Sequence, residues 1–215
     1  MRLYLAPGVH AAQVADDLVF LDTAADAYFC LGGGAELITL GPGGQIEVGQ
    51  DGPALQLVGA GLLSQSVTCA SDRMPPRPIA SAHLRRGAAV AVPAAAALDI
   101  VTVTLSVARD FGRHSFSQLL LGPAPKASAW ENPSPALFEA VAQFEKLRPW
   151  LPLHGECLLR SFHLRAFLRR RGLDALWVFG VRTWPFGAHC WLQAGETALD
   201  EDLERLSAYQ PIMAA

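Results

Sequence analysis

Three residues equipped for acyl chemistry follow one another as Cys157, His189 and Asp200 in the last third of this 215-residue chain. A thiol attacks once it is a thiolate, an imidazole can take and return its proton, and a carboxylate can hold that imidazole in the required tautomer. Cys157 opens the amphipathic stretch CLLRSFHLRAFLRRRGL. The first turn of a helix offers unpaired N–H groups and the positive end of the dipole, which both favour a thiolate. His189 begins the β-prone run AHCWLQAG, and Asp200 closes TALD beyond the Gly195-Glu196 turn, so a hairpin would bring the two together. Cys190 alternates to the opposite face of that strand and is read as core. His154, in the loop before Cys157, and His163, six residues along the helix on another face, are the rival bases. Glu201 or Asp202 replaces Asp200 if the hairpin register slips by one or two residues.

The helix that carries Cys157 should stop at Gly172, with Arg169, Arg170 and Arg171 on a solvated last turn that complements the dipole. Ser134-Pro135 has the form of an N-cap and first turn, and Leu137, Phe138, Val141, Phe144 and Leu147 make the apolar stripe of the helix that follows. The apolar run at 88–108 approaches spanning length. Its alanine content, Pro93 and Asp99 favour a buried helix over a membrane segment. His114 has no partner motif and is read as a surface or packed residue.

A net charge of −3 and a pI near 6.0 give no basic field for a polyanion. The N-terminus MRLYLAPGVH lacks a secretory pattern, so a cytoplasmic protein with free thiols is expected. Cys30, Cys69, Cys157 and Cys190 lack zinc-site spacing, and no metal is expected. The glycines at 32–34 and 41–44 do not form GxxxxGK[ST] and read as turns.

The N-terminal part reads as three short strands, RLYLA, DDLVFLD and DAYFCLG, then helical pieces at AELITL and PALQLVGAGLLSQ. SDRMPPRPIA cannot continue a helix. These signals divide the chain into a domain at 1–72, a linker at 73–80 and a domain at 81–215.

The segment DDLVFLDTAADAYFCL, with the small helices after it, resembles the peptide-binding domain related to the pyrroloquinoline-quinone chaperone. That resemblance implies a three-stranded, winged-helix-like domain that takes an extended leader peptide by strand addition. Its edge would be residues 26–31, with Asp26, Tyr28, Phe29 and Leu31. Its groove helix would be residues 54–63, with Leu55, Val58 and Leu62. The order Cys, His, Asp on a helix and two paired strands is that of papain-like and transglutaminase-like enzymes. ECLLRSFHLRAFLRRRGLDALWVFGV, PFGAHCWLQ, Asp200 and SAYQPI together resemble the lasso peptide maturation B protein, a transglutaminase-like leader peptidase.

The resemblance implies an α+β chain in which the N-terminal domain precedes a transglutaminase/papain-like helix-plus-antiparallel-sheet domain. It makes Cys157 the nucleophile, His189 the general base and then acid, and Asp200 the orienting carboxylate. The reaction would be hydrolysis between leader and core of a precursor peptide. An asparagine-synthetase-like, ATP-using lasso cyclase would be the partner, and any nucleotide requirement would reside there, with no cofactor bound to this chain. Two other readings use the same residues: transfer of the thioester acyl group to an amine, and a non-enzymatic peptide adaptor in which Cys157 is a structural thiol.

Overall fold

A computed structural model describes residues 3–49, 51–66, 73–82, 90–152 and 157–215, which form two compact units. Residues 1–74 group with 180–188 and 209–213 in the first unit, and the remainder makes the second.

The first unit begins with β1 (Leu3–Leu5), β2 (Val9–Val14), β3 (Asp17–Asp22), β4 (Ala27–Leu31), β5 (Ile38–Leu40) and β6 (Gln45–Val48), followed by α1 (Asp51–Gly59) and β7 (Leu63–Ser64). β2, β3 and β4 form an antiparallel sheet in which β3 is central. Residues 17–21 of β3 are all buried, as a central strand enriched in Leu, Val and Phe should be. The other sheet has the order β5-β6-β1-β7. Leu3, Leu5, Val9, Leu18, Phe20 and Ile46 belong to the core of this unit. At the β3–β4 connection, the Asp22 carboxylate accepts hydrogen bonds from the N–H groups of Ala24 and Ala25.

This differs from the sequence expectation in three respects. AELITL is a short 3₁₀ turn at Gly34–Glu36 followed by strand β5, because Ile38, Thr39 and Leu40 pair with Val48, Glu47 and Ile46. RLYLA gives β1, which pairs with β6 and β7 rather than with β3, whose second neighbour is the unforeseen β2. The expected three strands and two or three helices are thus seven strands and one α-helix among the described residues of this segment, and the winged-helix arrangement is not what they show.

The second unit contains β8 (Ala80–Ser81), α2 (Ala94–Phe111), α3 (Phe116–Leu120), α4 (Pro135–Leu147) and α5 (Cys157–Arg170). They are followed by β9 (Leu176–Arg182), β10 (Gly187–Ala194), β11 (Thr197–Ala198), α6 (Leu203–Leu206) and β12 (Gln210–Ala214). The sheet order is β12-β9-β10-β11-β8, and residues 180–182 of β9, 187–188 of β10 and 210–213 of β12 are grouped with the first unit. A two-residue turn joins β10 to β11 with Gly195 at φ +50°, where an added Cβ would lie 2.8 Å from the Glu131 carbonyl carbon.

Helix α5 packs against α2 and α4. Its buried residues, Ser161, His163, Leu164, Arg165, Phe167 and Leu168, do not lie on one face, so it is an interior helix. Trp177 of β9 donates its indole N–H to Ser161 Oγ at 2.7 Å and packs at a tilt against Phe162 and Phe179. The Arg169–Arg171 cluster is paired as well as exposed: Arg169 meets Asp174, Arg170 meets Asp99, and Arg171 donates to the Gln143 side-chain carbonyl. Helix α4 is capped by Ser134, whose hydroxyl accepts from Leu137 N–H, and buries Leu137, Val141 and Phe144 as expected.

Helix α2 is only half buried, with Ile100, Val103 and Val107 inward and Leu98, Val101 and Leu105 exposed. No helix among the described residues is long and apolar enough to cross a membrane.

His163 is placed for packing. It is buried, its Nε2 is 3.0 Å from Thr104 Oγ1, and its ring meets Phe144 edge-on at 5.1 Å. The Thr104 hydroxyl already donates to Ile100 O, so it accepts from His163 Nε2–H. Burial lowers the His163 pKa to about 4. Its neutral form therefore contributes stability that is complete above the ordinary value of 6.5 and is lost as pH falls toward 4. His163→Gln, which keeps an N–H for Thr104 but cannot titrate, should flatten the pH dependence of the urea midpoint across that interval. In the same core, Phe144→Ala should cost about 3–5 kcal/mol by urea denaturation, as expected for a fully buried phenylalanine.

Candidate active site

Cys157 is the first residue of α5 and is half-buried. His189 lies on β10 and is buried. The two side chains interact, each favouring the charged form of the other. His189 Nε2 lies 2.7 Å from Glu201 Oε2, which leaves Nδ1 as the imidazole nitrogen available to the thiol. All three residues belong to the second unit.

The carboxylate beside His189 is therefore Glu201 rather than Asp200. The cause lies in where the hairpin stops. Strand β11 ends at Ala198, Leu199 still donates to Leu192 O at 2.8 Å, and the Asp200 carboxylate then turns back to accept from Leu192 N–H at 2.8 Å. That fixes Asp200 as a buried strap on the β10 backbone. The next residue, longer by one methylene, reaches the imidazole. Asp202 occupies the N-cap position of α6 instead, without a side-chain capping bond.

Arg160, one turn along α5 from Cys157, joins the two carboxylates. Its Nη2 donates to Glu201 Oε2 at 2.7 Å, and its Nε lies 3.8 Å from Asp200 Oδ2. Arg205 approaches Glu201 at 3.5 Å from the solvent side. Sequence reasoning assigned Arg160 no role. Its offset of three from Cys157 puts the two on neighbouring positions of the helix surface, which was the available signal.

The charges of this group are set by their neighbours. The Cys157 thiol is held well below its ordinary value, first by a hydrogen bond from the Cys190 thiol, then by the hydrogen bond with His189 and the Cys190 backbone N–H, against the opposing effect of burial. Cys190 is pushed up correspondingly by its bond to Cys157 and by burial, and it also lies 3.3 Å from Ser161 Oγ. It is core, as expected, but its thiol also reaches the nucleophile candidate, which strict strand alternation did not foresee.

Burial pulls His189 down. Hydrogen bonds to Cys157 and Glu201 outweigh it and hold the imidazole above 6.5. Burial likewise raises Glu201, but His189 and Arg160 bring it to about 2. Asp200 is raised to about 6 by burial, opposed by Arg160 and the Leu192 N–H. The arrangement is a thiolate beside an imidazolium, backed by a carboxylate that is itself held by an arginine.

The expected leader-contact residues lie in the first unit. Strand β4 is an edge of its sheet, with Asp26 just before it and Phe29 exposed on it. Tyr28 packs at 5.7 Å against Phe186 of the same unit, and Leu31 and Val58 pack on the core. Leu55 is 61% exposed on α1. Leu62 is 2% exposed, beyond the end of α1 and within the core, so it lines no groove. His154 lies outside the described residues. No group of three His, Cys, Asp or Glu among the described residues could hold a metal ion.

The profile of the Transglutaminase-like superfamily matches residues 100–214, more than half of the chain, and the chain belongs to that superfamily. It is also similar to the microcin J25-processing protein McjB of Escherichia coli, with 39% identity over 47 residues. The similarity covers 22% of this chain and 23% of McjB, so the chain spans under a quarter of the curated relative it matches. The resemblance to lasso peptide maturation B proteins is supported by these two matches. No solved structure matches.

Alkylation should distinguish the thiols. At pH 6, iodoacetamide should modify Cys157 well before exposed Cys30, whose thiol burial and Asp17 push up, and before buried Cys190. Peptide mapping reads the order. His189→Ala should move the pH midpoint of Cys157 labelling upward by at least one unit.

Proposed function

We propose that this protein is a cysteine peptidase that removes the leader from a ribosomally made lasso precursor peptide. The observation that carries the reading is the linked set Cys157, His189 and Glu201, with the thiol at a helix start and the carboxylate on the far nitrogen of the imidazole. The match to a microcin J25-processing protein supports the substrate class.

In this mechanism the Cys157 thiolate attacks the carbonyl carbon joining leader to core. The backbone N–H of Cys157 supplies one donor to the developing oxyanion. Imidazolium His189 returns a proton to the departing core amine, leaving the leader as a thioester on Cys157. The now neutral His189 deprotonates a water molecule, which attacks the thioester and regenerates the thiolate. Glu201 keeps the imidazole oriented and favours its charged form. The sequence expectation gave that task to Asp200. The contact at 2.7 Å favours Glu201.

The leader would add as a strand along the β4 edge, with Phe29 and Leu55 as exposed apolar contacts. The freed core amine would pass to an asparagine-synthetase-like cyclase, and the reading places any use of ATP on that partner. The expected cytoplasmic location is part of the same proposal.

Cleavage of a precursor peptide, followed by mass spectrometry, tests the reading. Cys157→Ala should abolish cleavage while leader binding persists. Glu201→Gln should lower kcat/KM by tenfold or more. The pH profile should be bell-shaped. Activity appears as Cys157 loses its proton below the ordinary thiol value, and is lost as His189 loses its proton above 6.5. Glu201→Gln should shift the alkaline limb downward, because the charge that raises His189 is gone. Retained cleavage by Cys157→Ala would overturn the assignment of the nucleophile.

A further inference from the structure

Arg165 differs from every other arginine on α5. Arg160, Arg169 and Arg170 each meet a carboxylate. Arg165 is 3% exposed and makes no ion pair with a carboxylate among the described residues. Its Nε is buried without a partner. The contact it does have is the face of Trp177, 5.5 Å from the guanidinium carbon. Asp174 offsets its charge at a distance, but that carboxylate already serves Arg169 and the N–H groups of Lys126 and Ala175. Burial and the like charge of Arg169 accordingly pull the Arg165 pKa down to about 10. A buried cation without a counter-ion is strongly disfavoured unless something supplies one.

Arg165 is among the residues that line a cavity of about 320 Å³ within the second unit. Arg169, Leu119, Leu121 and Phe162 line it as well. Gln118 and His114 add polar groups, and Asp110 also lines it with its carboxylate engaged by Arg109 at 3.0 Å. Gly122 admits Arg169: a Cβ there would lie 2.8 Å from Arg169 Nη1. The volume is at the lower end of small-molecule sites, and the mixture of apolar wall and a few convergent polar groups is what such sites use.

We propose that this cavity binds a small organic anion whose carboxylate or phosphoryl group seats on Arg165 and whose apolar part lies against Leu119, Leu121 and Phe162. Both head groups present paired oxygens to a guanidinium fork, so the shared chemistry is what the cavity recognises. The site uses none of Cys157, His189 or Glu201, and it stands apart from the peptidase reading.

Hexanoate, hexyl phosphate and uncharged hexanol test it against the full-length protein by calorimetry and by the ¹⁵N resonance of the Arg165 Nε–H. The expected result is saturable one-to-one binding of at least one anion with a shift of that resonance, and no binding of hexanol. The tighter of the two anions identifies the head group. Arg165→Met should weaken binding tenfold or more. Ala166→Phe keeps the guanidinium but fills the cavity, and should do the same; it carries the test if Arg165→Met fails to fold. Failure of both anions to bind, equal binding of hexanol, or unchanged binding by either folded variant would overturn the proposal.

Discussion

The contact between His189 Nε2 and the Glu201 carboxylate is the constraint on which the site depends. An imidazole beside a thiol can sit in either tautomer and rotate about its own bonds. Anchoring Nε2 removes both freedoms and leaves Nδ1 directed at Cys157. The same contact couples the charges, since a carboxylate on one side and a thiolate on the other both favour imidazolium. Glu201 is held in turn by Arg160 from α5, so the helix that begins with Cys157 also fixes the carboxylate on His189. Cys157, His189 and Glu201 are thereby set by one helix and one hairpin.

That economy explains an unusual feature of α5, an interior helix rich in arginine. A buried helix normally avoids charge, and each arginine on it must find an acceptor or lose stability. Most do so at short range, through Asp174, Asp99, Gln143 and Glu201. The helix is held by these pairs and by the aromatic cluster of Phe144, Phe162, Phe167 and Trp177. The hydroxyl of Ser161 adds a polar hinge, accepting from Trp177 while bonding back to Cys157 O. Arg165 is the exception to the pairing.

Much of the second unit was legible in the sequence because its signals are local. Ser134-Pro135 marks a helix start, the period of Leu137, Val141 and Phe144 gives its buried face, and LWVFGVR reads as a strand in any context. The identity of the carboxylate was not legible. Asp200 and Glu201 are adjacent, and which one reaches His189 depends on where β11 leaves its ladder and on one methylene of length. Pattern reasoning fixes strand positions only to within a residue or two, and a one-residue slip exchanges the faces. The first unit was read less well. Ile38–Leu40 reads as helix in the sequence because its apolar spacing fits both periods over so short a run, and only pairing with β6 decides in favour of strand. The β2 segment VHAAQV, with two alanines and no strong β-former at its centre, offered little signal before β3 supplied its partner. The arginines at 169–171 were recognised as a helix terminus, but the long-range partner Asp99 could not be inferred from spacing along one helix.

The central claim is that Glu201 and Cys157 together keep His189 charged. The ¹⁵N chemical shifts of the His189 ring nitrogens, followed through pH, report this directly without any substrate. The account predicts an imidazolium that titrates above 6.5 in the unmodified protein and at lower pH in Glu201→Gln, with Asp200→Asn having the smaller effect. A His189 that titrates at or below 6.5, or one whose titration follows Asp200 and ignores Glu201, would contradict it.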